Sequence, residues 1–438
     1  MSRLQQLKNR VSKMDPVRTS GRITQMVGLV AEAYCPPVSI GDLCQIEING
    51  GNVLAEVVGF KNRVTLLMPF GDATGLRSGT TVICEGRPLS IKVGHPLLGR
   101  VVDALGSPID GDGPLDCEEE CTLLNQPPEP MSRMPIREPL PLGVRALDGM
   151  LTVGKGQRVG IFSGSGVGKS TLLGMMARNT KADVNVIAMI GERGREVRDF
   201  IEHHLADDGL RRSTVVVATS DQPPLMRLKG AFTAMTIAEY FRDQGMDVLF
   251  MMDSVTRFAM AQREVGLAAG EPPTARGYTP SVFTLLPKFL ERAGTSEHGT
   301  ITALCTVLVE GDDFNEPISD HARAILDGHI VLTRNLANQG HYPSVDVLTS
   351  VSRLMNEVSE ESHIKMALKL KEVVATYQEA EELINLGAYK EGSNPRIDYA
   401  LSKIGAARSF LRQDVDEKVE FNDTVTALHN IFDGQDSM

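Results

Sequence analysis

The chain has 438 residues, enough for two or three domains and at least one large hydrophobic core. It carries 45 Lys and Arg against 56 Asp and Glu, a formal net charge of −11, and 42% of its residues are apolar. These values exclude a small disulfide- or metal-stapled module and general disorder. They also disfavour a protein whose affinity comes from coating nucleic-acid phosphates, because that affinity needs a positive surface.

Six cysteines are scattered along the chain, and only Cys117 and Cys121 lie close together, in an acidic run. A zinc site would need a second pair of ligands nearby, so we interpret the thiols as reduced, in a cytoplasmic protein. The start of the sequence lacks the apolar run of a signal peptide, and no segment approaches the roughly 18 to 20 apolar residues of a membrane span. We expect any membrane contact to be peripheral or through partners.

Residues 1–18 are predicted to form an amphipathic N-terminal segment. Leu4, Leu7, Val11 and Met14 recur at steps of three and four among basic residues, which indicates a short helix. Such a helix is marginal alone, and three roles stay open: packing on its own domain, docking a partner, or binding a membrane surface.

Residues 19–93 are predicted to form a small β-barrel. Short apolar runs are separated there by turns rich in Gly, Asn and Asp. The segment INGGNV predicts one hairpin, because Asn49, Gly50 and Gly51 tolerate positive φ. The predicted strands cover residues 23–30, 43–48, 53–60, 64–68, 80–84 and 89–93.

Residues 94–350 are predicted to be an α/β domain that begins with a proline-rich linker over 94–140, and this linker should be largely extended. After the linker, apolar strand-like runs alternate with helical patterns. This alternation is typical of a mainly parallel sheet that is buried on both faces. The predicted strands are 158–162, 184–190, 214–218, 248–252, 301–309 and 329–332.

Residues 351–438 are predicted to be a helical domain. Apolar residues follow helical spacing over 361–386 and the pattern stops at Gly387. Asn394 followed by Pro395 is typical of a helix cap with proline at the first helical position.

The strongest motif is a glycine-rich loop between a predicted strand and a predicted helix. Such a loop turns backbone N–H groups toward phosphates, and the following helix N-terminus adds positive potential. Lys169 is expected to bind the β- and γ-phosphates, and the Ser170 hydroxyl to ligate Mg²⁺. The strict pattern has glycine where this chain has Ser163, and the alternative is a glycine-rich helix entry. The predicted nucleotide-binding residues here are Ser163, Gly164, Ser165, Gly166, Val167, Gly168, Lys169, Ser170 and Thr171.

Two carboxylates follow predicted strands. Asp253 ends the apolar run 248–252, where it could hold Mg²⁺ through water, or serve as a helix cap. Glu192 follows the run 184–190, where it could orient and polarise the attacking water, or belong to a solvated charge cluster.

Longer segments resemble one family closely. They are GERGREV, MMDSVTRFAMAQREVGLAAGEPP, RGYTPSVF, PSVDVLTSVSR and GAYKEGSNPRID. Together they resemble the rotary ATP synthase α/β family, and within it the flagellar type III protein export ATPases. The similarity runs over nearly the whole chain, and it implies a β-barrel, a RecA-like P-loop ATPase core with a mainly parallel sheet, and a C-terminal helical domain.

The resemblance implies roles for four residues around the phosphates. Glu192 matches the catalytic glutamate, and Arg193 matches a neighbouring arginine of the site. Asp253 matches the magnesium-linked aspartate, and Arg257 an arginine near the γ-phosphate.

Two further residues match duties that lie on different chains of the synthase. Tyr342 matches the aromatic residue that stacks on adenine in catalytic subunits; the alternative is a core or interface tyrosine. Arg353 matches the arginine finger that noncatalytic subunits donate to a neighbour. Because one sequence carries both, the resemblance implies a homohexameric ring whose sites combine one subunit's phosphate loop with the next subunit's Arg353.

The function implied is ATP hydrolysis that energises flagellar type III export. Implied partners are a regulatory stator-like protein at the N-terminal segment, a central stalk-like coiled coil, the export gate, chaperones and export substrates, without nucleic acid. Alternatives are the ATPase of a virulence-type secretion system, a Rho-like nucleic-acid translocase and a noncatalytic ring subunit. The translocase is disfavoured because the first 93 residues lack alternating basic and aromatic residues. The noncatalytic subunit is disfavoured because Lys169, Glu192 and Asp253 are all present.

Overall fold

The computed structural model describes residues 20–48, 51–309, 314 and 316–432. The predicted N-terminal helix and the Asn49-Gly50 part of the predicted hairpin turn lie outside these ranges.

Six antiparallel strands close into a barrel in the order β1-β2-β5-β4-β3-β6. Apolar side chains such as Ile23, Ile46 and Val82 fill its interior and are almost fully buried. The predicted run 23–30 is in fact two strands, because Gly28 turns the chain with a φ of 58°. The strands are β1 Ser20–Val27, β2 Val30–Tyr34, β3 Asp42–Ile48, β4 Gly51–Lys61, β5 Val64–Pro69 and β6 Thr81–Pro88.

The last predicted barrel strand, 89–93, does not join the barrel. It forms β7, Ser90–Val93, which pairs antiparallel with β9, Glu119–Thr122, in a separate two-stranded sheet. The apolar pattern of a strand predicts that it pairs, but the pattern does not specify the partner.

The second domain is built on a nine-stranded sheet with the order β17-β16-β10-β15-β13-β11-β12-β8, and β14 pairs beside β15. All pairs are parallel except those of β14 and β17. Its strands are β8 Val101–Asp103, β10 Arg158–Ser163, β11 Val184–Ile190, β12 Ser213–Ala218, β13 Asp247–Asp253, β14 Gly294–Thr295, β15 Thr300–Leu308, β16 Gly328–Leu332 and β17 Val351–Ser352. The predicted parallel sheet is confirmed, and the proline-rich segment contributes β8 to one edge.

Helices cover both faces of this sheet, and the central strands β11 and β12 are buried along their whole length. The helices are α1 Arg145–Met150, α2 Lys169–Asn179, α3 Gly194–Asp199, α4 Ala206–Leu210, α5 Pro224–Asp243, α6 Val255–Ala269, α7 Pro280–Leu290, α8 Pro317–Ile325 and α9 Arg334–Asn338, with a π-helical turn at Phe200–Leu205.

The chain closes with the predicted helices, α10 Met355–Val358, α11 Glu361–Asn385, α12 Pro395–Leu411 and α13 Phe421–Asn430. The side chain of Asn394 accepts a hydrogen bond from the Arg396 N–H, so the predicted cap is confirmed. Phe410 packs so closely on Gly149 that a Cβ there would lie 2.7 Å from the ring. This contact seats the helical domain on the nucleotide-binding domain.

A buried ion pair joins the barrel to the second domain. Lys229 Nζ on α5 lies 2.6 Å from Glu56 Oε2 on β4, and both side chains are at most 10% exposed. The proline-rich segment is held in a similar way, because the buried guanidinium of Arg292 donates to the Leu123 carbonyl and to Glu239.

Candidate active site

The glycine-rich loop connects β10 to α2 at the carboxyl edge of the sheet. Gly166 and Gly168 have φ values of 75° and 88°, in the left-handed region that favours glycine, and Gly168 caps α2. Lys169, Ser170 and Thr171 form the first turn of the helix. The sequence therefore folds into the strand–loop–helix arrangement that points backbone donors outward from a helix N-terminus.

The loop suits a phosphate group. The Ser163 hydroxyl is buried without a hydrogen-bond partner among the described residues, while Ser165 and Gly166 are exposed at the mouth. The Ser344 hydroxyl donates to the Val167 carbonyl at 2.6 Å and holds the loop from behind. An unpartnered buried hydroxyl beside exposed backbone donors is the arrangement that an incoming anion would satisfy.

The two strand-end carboxylates meet at the lysine of the loop. Strands β11 and β13 pair in parallel with Met189 opposite Asp253, which brings both strand ends to one edge. Lys169 Nζ lies 2.6 Å from Asp253 Oδ1 and 3.7 Å from Glu192 Oε1. The helix-cap alternative for Asp253 does not hold, because Ser254 caps α6 by accepting from the Arg257 N–H.

Glu192 is largely buried, at 9% exposure. Burial, followed by the neighbouring charge of Asp253, raises the pKa of its carboxyl to about 7, although Lys169 acts in the opposite direction. A carboxylate that titrates near neutral pH is suited to accept a proton during catalysis. The Ser220 N–H donates to the Glu192 carbonyl at 3.0 Å and fixes its backbone.

The two predicted arginines differ in placement. The Arg257 side chain packs against Gly191, since a Cβ added to Gly191 would lie 2.8 Å from the Cβ of Arg257. The buried Nε of Arg257 has no hydrogen-bond partner in the described ranges. Arg193 points to solvent with an 82% exposed side chain, 3.7 Å from Glu196. Arg257 therefore packs against the residue that precedes Glu192, and Arg193 faces outward.

Tyr342 borders a cavity of about 590 Å³ beside the phosphate loop. Its ring lies about 3.5 Å from where a Cβ on Gly168 would stand, and the side chain is 46% exposed. Met175 and Val415 add apolar walls, and the Gln413 N–H donates to the Tyr342 carbonyl at 3.0 Å. An exposed aromatic ring over an apolar slot suits a stacked base.

Arg353 lies at the opposite end of β10. Its N–H donates to the Asp327 carbonyl at 3.1 Å, and the Asp327 N–H donates to the Arg158 carbonyl at 2.8 Å. Arg158 starts β10 and Ser163 ends it. Five residue steps at about 3.3 Å separate them by roughly 16 Å. The structure brings Lys169, Glu192 and Asp253 together at the phosphate loop, whereas Arg193 faces solvent and Arg353 lies away from the loop.

The donor set fits a magnesium ion that is bound together with phosphate. Asp253 is 3% exposed, Ser170 lies in the first turn of α2, and no other side chain is needed where phosphates and water complete an octahedral shell.

Two contacts of the site escaped the sequence analysis. The Thr306 hydroxyl on β15 donates to Asp253 Oδ1 at 2.7 Å, and Arg412 lines the cavity together with Val415. The strand order places Thr306 beside Asp253, and the packing of the helical domain places Arg412 and Val415 at the cavity. The sequence carried no local signal for either.

Three family models match the chain. The ATP synthase alpha/beta family nucleotide-binding domain matches residues 143–352, and the beta-barrel domain of that family matches 23–86. The C-terminal domain of the type III secretion ATPase EscN matches 359–430. Among the helices that the structure describes, none is both long enough and apolar enough to cross a membrane.

Relatives match over nearly their full length. The flagellum-specific ATP synthase of Bacillus subtilis is 55% identical over 96% of this chain and 97% of its own. The solved structure of the assembled ATPase EscN from the enteropathogenic E. coli type III secretion system has a TM-score of 0.89 at 45% identity, covering 94% of this chain and 99% of that one. The structure of EscN with its central stalk EscO has a TM-score of 0.87 at 44% identity, with the same coverage.

Proposed function

We propose that this chain, which belongs to the ATP synthase alpha/beta family, hydrolyses ATP to energise type III export of flagellar proteins. The observation that carries the ATPase chemistry is the meeting of Lys169, Glu192 and Asp253 at one glycine-rich loop. The export role is supported by the relatives, which are a flagellum-specific ATP synthase and the ATPase of a type III secretion system. The alternative is the ATPase of a virulence-type system, since the EscN structures share the fold.

Hydrolysis divides among the residues of the site. The loop N–H groups and Lys169 bind the phosphates, and Tyr342 holds the base. Glu192 orients a water molecule and takes its proton as the water oxygen bonds to the γ-phosphorus. The bond from that phosphorus to the bridging oxygen breaks, and ADP leaves with the electron pair. Arg257, which packs against Gly191 next to Glu192 in the chain, stabilises charge on the γ-phosphoryl group.

Ser170 and Asp253 are the residues that would hold Mg²⁺. The ion neutralises phosphate charge when it is bound with the nucleotide. Lys169 Nζ lies 2.6 Å from Asp253 Oδ1, and this contact orients the carboxylate for that duty.

The arginine finger acts between subunits. Arg353 lies roughly 16 Å along β10 from its own phosphate loop, too far for one arginine side chain to span. Its exposed position at the opposite end suits a head-to-tail ring, in which each Arg353 reaches the next subunit's site. We therefore place the chain in a homohexamer with sites at the subunit interfaces.

The proposed surroundings follow the family. A stalk-like coiled coil would occupy the ring centre, as the EscN–EscO structure suggests, and a stator-like regulator would bind residues 1–18. The export gate, chaperones and export substrates complete the proposed partners. The ring would lie in the cytoplasm, at the inner-membrane export apparatus.

Mixing two inactive variants tests catalysis between subunits. Arg353→Ala and Glu192→Gln should each bind a fluorescent ATP analogue but hydrolyse ATP very slowly, since arginine fingers are worth roughly 10³ to 10⁵ in rate. Mixed rings contain some interfaces that join an intact Glu192 to an intact Arg353, so phosphate release should partly recover.

The control dilutes each variant separately into wild type, with ring formation followed by light scattering. If mixed rings form and stay inactive while each dilution lowers activity only in proportion, Arg353 does not act between subunits. If small amounts of either variant abolish the activity of wild-type rings, hydrolysis requires every interface to be competent in sequence. That requirement would explain why rings mixed from the two variants are inactive.

A further inference from the structure

Arg158, at the amino end of β10, binds the Asp327 carboxylate through both its side chain and its backbone. Arg158 forks onto its carboxylate, with Nε 3.1 Å from Oδ2 and Nη2 3.3 Å from Oδ1, and the Arg158 N–H donates to Oδ2 at 3.1 Å. The Asp327 carbonyl in turn accepts from the Arg353 N–H at 3.1 Å. The side-chain contacts of Asp327 thus fix the position of its carbonyl, to which the Arg353 N–H donates.

Gln157, which directly precedes Arg158, contacts both Asp327 and Ser352. Its side chain is fully buried, and Oε1 accepts from the Gly154 N–H at 2.8 Å. Nε2 donates both to the Asp327 carbonyl and to Ser352 Oγ, each at 3.1 Å. Ser352 directly precedes Arg353. Both ends of this buried amide form hydrogen bonds, so the amide has one orientation available. It therefore fixes Asp327, which accepts from the Arg353 N–H, and Ser352, which precedes Arg353 in the chain.

The surrounding packing leaves this turn little freedom. A Cβ on Gly328 would lie 2.6 Å from the Val351 carbonyl, so β16 and β17 approach as closely as their backbones allow. Glu291 pairs with the remaining guanidinium nitrogen of Arg158, next to a cavity of about 310 Å³. The guanidinium of Arg353 lies outside this network and donates to the Arg323 carbonyl at 3.2 Å.

We propose that Gln157 and Asp327 are positioning residues that hold the backbone of Arg353 where the neighbouring subunit's site needs its guanidinium. This inference rests on the proposed interfacial function of Arg353. Strand β10 then contributes to two sites. Its carboxyl end leads into the phosphate loop of its own subunit, and its amino end positions Arg353 for the site of the next subunit. A misplacement of about 1 Å costs on the order of 10²-fold in rate, so a rigid mounting is required.

The test is a double-mutant cycle between Asp327→Asn and Arg353→Ala in the full-length ring. Values of kcat and KM are measured by steady-state ATP hydrolysis, and single-turnover hydrolysis of labelled ATP resolves the slow variants. Asp327→Asn alone should lower kcat about 10- to 100-fold with KM and ring assembly unchanged. In the Arg353→Ala background it should change the rate less than twofold, although it lowers the melting temperature equally in both backgrounds.

The matched control is Asp110→Asn at the other edge of the same sheet. Asp110 accepts the same fork from Arg100, at 2.8 and 2.7 Å, and a backbone N–H bond from Val101 at 2.9 Å. This change should lower the melting temperature without lowering kcat. If Asp327→Asn does not fold, the same double-mutant cycle uses Ser352→Ala. This variant removes the hydroxyl that accepts from Gln157 Nε2 at 3.1 Å and donates to the Thr152 carbonyl at 2.8 Å.

The outcomes separate the two claims. If Asp327→Asn lowers kcat by the same factor with and without Arg353, or not at all, the positioning role is overturned. If Asp110→Asn lowers kcat as much as Asp327→Asn, the effect is general loosening of the sheet, which also overturns it. If Arg353→Ala alone keeps the wild-type rate, the interfacial function itself fails and the positioning role fails with it.

Discussion

The ionisation of Glu192 should set the acidic limb of the pH profile of ATP hydrolysis. Burial and the Asp253 charge raise the pKa of this carboxyl to about 7. With that value, about one-eleventh of the groups are ionised at pH 6 and about ten-elevenths at pH 8. Because only the ionised form accepts the proton of water, kcat/KM should rise about tenfold across this interval.

The assay measures phosphate release from pH 5.5 to 9 at constant ionic strength. Titration with a fluorescent ATP analogue at each pH separates any change in nucleotide binding from a change in the catalytic step. Glu192→Gln is the reference variant, since its amide has nearly the same shape and does not ionise. It should bind the analogue like wild type and show a very low, pH-independent rate.

Two results would refute this reasoning. A kcat/KM that stays level between pH 6 and 8, with binding unchanged, would mean that no group with a pKa of about 7 controls catalysis. Wild-type turnover by Glu192→Gln would place the base on another residue.

The same residue makes a prediction for stability. The raised pKa means that the folded protein holds the Glu192 proton more tightly than the unfolded chain. The ionised carboxylate therefore destabilises the fold increasingly as pH rises from about 4.5 to about 7. Glu192→Gln should match the wild-type melting temperature near pH 4.5 and exceed it above pH 7. An equal difference at both pH values would contradict the shifted pKa.

Two further changes test the domain joint and the base pocket. Lys229→Met leaves the buried Glu56 carboxyl without its partner, so urea unfolding should show a loss of about 3–5 kcal/mol, and adding Glu56→Leu should restore most of it. A loss below about 1 kcal/mol would show that water reaches the pair. Tyr342→Ala should weaken binding of a fluorescent ATP analogue about 5- to 150-fold, since base stacking is worth about 1–3 kcal/mol, and Tyr342→Phe should bind within about twofold of wild type. Equal binding by the alanine variant would place the base elsewhere.

The β-strands and the phosphate loop were predictable from the sequence because their signals are local. Apolar runs broken by glycine mark strands, and glycines before Lys169 mark a phosphate loop whatever the rest of the chain does. Glu192 and Asp253 could be placed at one sheet edge because parallel strands bring their carboxyl ends together, and the pairing of β11 with β13 does so.

Strand partners and boundaries were less predictable. The run 89–93 has the apolar pattern of a barrel strand, yet it pairs with Glu119–Thr122. Nothing in the proline-rich segment announced β8, which completes the edge of the central sheet. Pairing depends on which edges remain unoccupied after the rest of the chain has packed, and a local pattern does not contain that information.

The sequence by itself determined which residues carry charge, and it placed Glu192 and Asp253 at or just after the ends of strands of the central sheet. Only the tertiary structure decided which of them meet. It placed Thr306 on Asp253 through the strand order, and it placed Arg412 and Val415 beside Tyr342 by seating the helical domain. It also separated Arg353 from its own phosphate loop by the length of β10. The physical reason is that these contacts join residues far apart in the chain, and their distances follow from packing and register rather than from local conformational preference.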